Sequence, residues 1–117
     1  MNQAINISQT IEGLLRRDAR YRIDAYSFVL EALNYTVGKL KVFRHVTGKE
    51  LLGGIKQYAK NQFGPMARAV LAHWGVNSTE DFGHIVFNLV EAKLLNKTEQ
   101  DSIDDFKNGY DFKEVFG

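Results

Sequence analysis

The chain has 117 residues, 44% of them apolar and 25% charged, with no cysteine and a single proline. That length supports one domain around one core without a metal or disulfide staple. The composition excludes a disordered chain, and the lack of cysteine excludes disulfides, thiolate metal sites and a cysteine nucleophile. The net charge of +1 is unevenly divided: residues 1–60 hold ten Lys/Arg against five Asp/Glu, and residues 61–117 hold five against nine. Either the two halves face each other in the fold, or a basic face is left for an acidic partner.

The opening "MNQAINISQTIEGLLRRDAR" lacks a basic stretch followed by an apolar run, and no window approaches the ~18 apolar residues of a membrane span. The expectation is a cytoplasmic protein without membrane contact. The Asn-x-Ser/Thr tripeptides at Asn6, Asn34, Asn77 and Asn96 carry no weight without a secretion signal.

A first helix is predicted from an N-cap at Ser8, with Ile7, Ile11, Leu14 and Leu15 on one side. The next runs from an N-cap at Asp18 to a stop at Gly38. It carries one stripe of Tyr21, Ala25, Phe28, Ala32 and Tyr35 and a second of Tyr26, Leu30, Leu33 and Val37, so it belongs in the middle of the fold. "KLKVFRHV", Lys39 to Val46, is either a short strand or an extended connection. Thr47 and Glu50 have capping-box spacing, so a third helix begins at Gly48 and buries Leu51, Leu52, Ile55, Tyr58 and Ala59. Gly53 and Gly54 inside it cost roughly 1 kcal/mol each relative to Ala, a loss most simply offset by a second helix packing close.

Gly64 then Pro65 is helix-stop and helix-start punctuation. The helix that follows puts Met66, Ala69, Val70, His73 and Trp74 on one side and ends at Gly75. Asn77 or Ser78 caps the next, with Glu80 and Asp81 in its first turn, where the helix dipole favours negative charge. After Leu95 the chain is polar and acidic. Thr98 caps a short helix with Ile103 and Phe106, and Asp111 with Glu114 caps another. The alternative is a strand or hairpin about Asn108-Gly109. The fold class is a mainly α, compact single-domain helical bundle over residues 1–117, with a winged-helix outline as the alternative.

That outline raises the question of DNA reading by the helix after Val76. Phe82, Ile85, Val86, Phe87, Leu89, Val90, Ala92 and Leu94 cover most of its circumference, leaving no free polar face for a groove. Its charges are Glu80, Asp81 and Glu91 against Lys93, which would repel phosphate. It reads as core.

The strongest basic cluster is "RRDARYR", with Arg16, Arg17, Arg20 and Arg22 around Tyr21; Lys39, Lys41, Arg44 and His45 form a second. Arginine beside an aromatic suits RNA phosphates and bases. The structural alternative pairs Arg20 with Asp24 and leaves the rest as solvated helix ends.

A perturbed polar site is sought at Asp24, His73 and His84, since Asp24 lies in an apolar stretch. Glu80 and His84 share a helix face but lack further ligands, so no metal is expected. The acids Asp101, Asp104, Asp105 and Asp111 lack the glycine and glutamate positions of an EF-hand. Gly48-Lys49 lacks the rest of a P-loop, and no nucleophile elbow or dinucleotide fingerprint is present. No catalytic residue and no cofactor is assigned.

Taken together, "YRIDAYSFVLEAL", "GKELLGGIKQYAKNQFGPMARAVL" and "WGVNSTEDFGHIVFNLVEAKLLNKTEQDSIDDF" resemble a family of small uncharacterised bacterial proteins over nearly the whole chain. The resemblance implies a bacterial single-domain protein and brings no activity or ligand. By elimination the expected function is a non-enzymatic protein-interaction module, partnered by another protein or by itself. Nucleic-acid binding through Arg16, Arg17, Arg20 and Arg22 is the runner-up, and an enzyme with an unrecognised site comes third.

Overall fold

Six α-helices and two 3-10 turns account for most of the described chain: α1 Ala4–Arg17, α2 Ile23–Gly38, α3 Gly48–Phe63, a turn at Gly64–Met66, α4 Ala67–His73, α5 Thr79–Glu91, a turn at Ile103–Phe106, and α6 Phe112–Phe116. The structure is a computed structural model and describes the backbone from residue 4 and side chains from residue 9. The fold is mainly α, and no strand occurs among the described residues. The hairpin at Asn108-Gly109, and with it a wing, is replaced by two short helical turns. Asp111 caps α6 by accepting the N–H groups of Lys113 and Glu114.

α2 is the centre. It packs against α3 and α5: Ala25, Phe28 and Ala32 of the first stripe and Tyr26 of the second are buried, Leu30 and Leu33 of the second are half-buried against the core, and Val29, in neither stripe, is fully buried. The α2/α3 crossing is close at Gly54, where an added Cβ would overlap the Thr36 side chain and lie 2.8 Å from its Cβ. Thr36 itself is buried and donates its hydroxyl to Ala32 O. Gly53 meets nothing within 4 Å. Only one of the two glycines serves the helix contact.

Helix ends follow the capping chemistry in most places. Thr47 and Glu50 form the reciprocal box at α3, and Ser78 forms one with Asp81 at α5. α4 and α5 both end in Schellman motifs. Val76 N–H reaches Leu71 O and Gly75 N–H reaches Ala72 O; Leu94 N–H reaches Leu89 O and Lys93 N–H reaches Val90 O. The residue that must turn left-handed is Gly75 (φ 93°) in the first and Lys93 (φ 65°) in the second.

Four boundaries or faces differ from expectation. α1 begins at Ala4, so Ser8 lies inside it rather than at its cap; the Ile7 side chain lies outside the described residues. Asp18 does not cap α2, which starts at Ile23 behind Arg22 without a side-chain cap, because the Asp18 carboxylate is engaged elsewhere. Thr98 caps no helix: Ser102 caps the 3-10 turn, while Thr98 N–H donates to Asp101. On α4 the buried residues are Ala67 and Leu71, whereas Met66, Ala69 and His73 are exposed. The 3-10 turn at Gly64–Met66 advances about 120° per residue instead of about 100°, so the helical phase counted from Pro65 is lost before α4 begins.

α5 is core. Phe82, Gly83, Ile85, Val86 and Leu89 are buried on it, and the turn at Ile103–Phe106 lies across it with Phe106 buried. Among the described residues no helix is long and apolar enough to cross a membrane.

Candidate functional site

Two regions hold unusual chemistry, and they do different things. The first is the Arg-rich junction between α1 and α2. Asp18 is only 9% exposed and accepts both Nε and Nη2 of Arg20 at 2.8 Å, the Arg20 backbone N–H at 3.2 Å and the Asn88 amide at 2.9 Å. The bidentate Arg20 contact dominates and holds the Asp18 carboxyl far below the usual carboxylate range, against the opposing effect of burial. Asn88 also donates to the Tyr26 hydroxyl.

At the other end of α5 the Tyr21 hydroxyl donates to Asp81. Burial, reinforced by that bond, pushes the Tyr21 phenol up. Arg22 N–H donates to Trp74 O at 3.1 Å, and Gly75 sits where a Cβ would collide with the Arg20 carbonyl oxygen. The junction therefore fastens α1, α2 and the α4/α5 turn together. Arg20 pairs with Asp18 and not with Asp24, because Arg20 precedes α2 and has no helical i, i+4 relation to it. Arg17 pairs with Glu91 at 3.3 Å. Arg16 and Arg22 are exposed and make no ion pair among the described residues.

The second region is a groove of about 350 Å³. Its floor and walls come from the C-terminal half of α2 (Leu33, Val37), the start of α3 (Leu51) and the C-terminal half of α5 (Val86, Phe87, Val90). Leu94 and Leu95, at the end of the Schellman turn, also line it. The segment Lys39–Val46 is an irregular arm, with a turn at Lys39 and a bend at Lys41 and Val42, that has no strand partner among the described residues, and its Phe43–Val46 part lines the groove. Phe43, on the groove edge, is 90% exposed and its neighbour Val42 is 70% exposed, the two most exposed of the large apolar side chains among the described residues.

The arm is held at two points. Arg44 makes a bidentate pair with Glu50, at 2.9 and 2.7 Å, which holds the Glu50 carboxyl down at about 2. His45 Nε2 lies 2.8 Å from Asp101 in the loop after α5. Burial raises the Asp101 carboxyl, but the Thr98 N–H and His45 outweigh it and leave it lowered. Lys39 sits over the Tyr35 ring at 4.9 Å. The arm is thus anchored by its polar groups and by Val46, which packs against the core, while Val42 and Phe43 face outward.

Asp24, expected in apolar surroundings, is exposed, as is His73; His84 is half-buried. None of the three lines the groove. The Glu80 carboxylate accepts the Asn108 N–H and is lowered chiefly by it, so that acid has a structural partner in the C-terminal segment. Among the described residues no group of three or more His, Asp and Glu side chains is placed to hold a metal. A second, wider cleft between α4 and the C-terminal segment is polar, lined by Arg68, Glu80, Asp111 and Glu114 among others.

Sequence reasoning named Lys39, Lys41, Arg44 and His45 as basic residues but did not single out Phe43. The available signal was a bulky aromatic inside a run of cations, in a segment with no strand of its own to pair with. In comparisons with protein-family models, curated proteins and solved structures, nothing matches this chain.

Proposed function

We propose that this chain is a non-enzymatic protein-interaction module whose interface is the groove between the Lys39–Val46 arm and α5. The observation that carries it is Phe43, almost fully exposed on the lip of an apolar groove while Arg44 and His45 beside it are tied down. Exposed apolar surface rimmed by polar groups marks interaction sites, and aromatic residues are enriched at interface centres. We read the protein as cytoplasmic and bacterial.

The test is site-specific photo-crosslinking in the native host, with benzoylphenylalanine at position 43 and, as control, at the exposed Met66 on the α3/α4 turn. A discrete adduct at 43 that is absent at 66 supports the reading. Equal labelling at both positions, or none at 43, contradicts it.

Nucleic-acid binding through Arg16, Arg17, Arg20 and Arg22 remains the second reading, favoured by the exposure of all four. Arg17 and Arg20 are occupied by Glu91 and Asp18, which leaves Arg16 and Arg22 as the junction cations with no ion pair among the described residues. Two phosphate contacts give a shallow salt dependence, with a slope of about −1.8 in log K against log salt on duplex DNA. Titration of mixed RNA and DNA at low and moderate salt measures it, and no binding at low salt removes this reading.

A further inference from the structure

Around the groove, acids and bases are treated differently. Most acids on the lining or near it in sequence have a cationic or histidine partner: Asp101 has His45, Glu50 has Arg44, Glu91 has Arg17 and Asp104 has Lys107, whereas Asp105 accepts only the Ser102 N–H and the exposed Glu99 makes no ion pair among the described residues. Lys97 on the lining, Lys49 and Lys93 beside it, and Lys41 on the arm are all exposed and make no ion pair among the described residues. The four lysines outnumber Glu99 and Asp105, the acids there that meet no cation, so the unpaired charge at and beside the groove is in positive excess.

Lys93 adds an independent observation. It occupies the left-handed position of the α5 Schellman turn, where glycine fits without the Cβ penalty and where α4 uses Gly75. A lysine there costs the fold stability, and strain of this kind collects at functional positions.

We propose that the groove binds an acidic amphipathic helix of a partner protein, its apolar side chains in the groove and its carboxylates facing Lys41, Lys49, Lys93 and Lys97. This rests on the interaction-module reading and specifies the partner's chemistry. An apolar helix face at i, i+3, i+4 and i+7 suits a groove walled by Val37, Leu51, Val86, Val90 and Leu94. A small anionic amphiphile fits less well. Arg44 and His45, on the lining, are already engaged, and Lys41, Lys49 and Lys93 lie outside it. Burial in the groove supplies affinity, and the lysines supply discrimination and association rate.

The probe is a fluorescein-labelled 18-residue helical peptide with Leu and Phe on one face and Glu elsewhere, compared with a twin carrying Lys for Glu. Fluorescence anisotropy at low salt should favour the Glu peptide by about tenfold or more, with the preference shrinking at 0.5 M NaCl. A triple variant, Lys41→Ala, Lys49→Ala and Lys93→Gly, should lose most of the preference while unfolding no more readily than wild type. Phe43→Ser should weaken both peptides.

Equal binding of the twins, preference for the Lys peptide, or stronger binding of anionic lipid vesicles or single-stranded RNA than of the Glu peptide overturns the proposal. If neither peptide binds while benzoylphenylalanine at position 43 still captures a specific protein, the acidic-helix proposal fails and the interaction-module reading stands. If crosslinking also fails, both fall.

Discussion

Asp18 shows how much one side chain can hold. Its carboxylate takes two guanidinium contacts, a backbone N–H and the Asn88 amide from a single, nearly buried position. Removing it leaves the half-buried Asn88 amide without that acceptor while the exposed Arg20 guanidinium is rehydrated, and Asp18→Ala is expected to cost about 1–2 kcal/mol in urea unfolding. The folded carboxyl titrates below its unfolded value of 3.8. Its contribution is therefore complete above that value and is lost as pH falls through the acid range. Wild type should lose stability more steeply than Asp18→Asn between about pH 5 and pH 2, and parallel curves would refute the assignment.

The two adjacent glycines of α3 make a paired prediction at the same scale. Gly54→Ala must displace Thr36 and is expected to destabilise by about 1–3 kcal/mol. Gly53→Ala enters open space and gains helix propensity, so it should stabilise by roughly 0.5–1 kcal/mol. From sequence the pair looked equivalent, because propensity is local; which of them touches α2 depends on the crossing point.

For whole elements, legibility tracked the chemistry that fixes each boundary. The Thr47/Glu50 box and the Ser78 cap are two-residue signals complete within one turn, and both helices begin where the signals put them. The start of α2 was misplaced because Asp18 looks like a cap in sequence but is claimed by Arg20 and Asn88, the latter 70 residues away. The face of α4 was misread because a 3-10 turn resets the phase. At the end of α5, Lys93→Gly is expected to raise stability by about 0.5–1 kcal/mol by relieving the left-handed backbone, measurable by denaturant melts. A loss of stability instead would mean that the Lys93 side chain contributes packing or charge that the exposed geometry does not show.

Over the whole molecule, α2 between α3 and α5 follows from its two apolar stripes, and the buried character of α5 follows from its ring of Phe, Ile, Val and Leu. The candidate site was less legible. The basic residues of the arm could be counted, but the groove is assembled from α2, α3, α5 and the loop after α5, and no local pattern reports their meeting. The alternation in "KVFRHV" reads as strand in isolation. With no strand among the described residues to pair with, it becomes an irregular arm, bent at Lys41 and Val42, that leaves Phe43 outside. The uneven charge of the two halves is partly satisfied across the fold, by Arg17 with Glu91 and His45 with Asp101.

The most direct test of the groove as the interface is an amide chemical-shift map of the isotopically labelled protein, titrated with the acidic amphipathic peptide. Shifts concentrated in residues 41–51 and 86–97, with residues 16–22 unmoved, are the predicted result. Shifts centred on the Arg16–Arg22 junction, or none at saturating peptide, would contradict it.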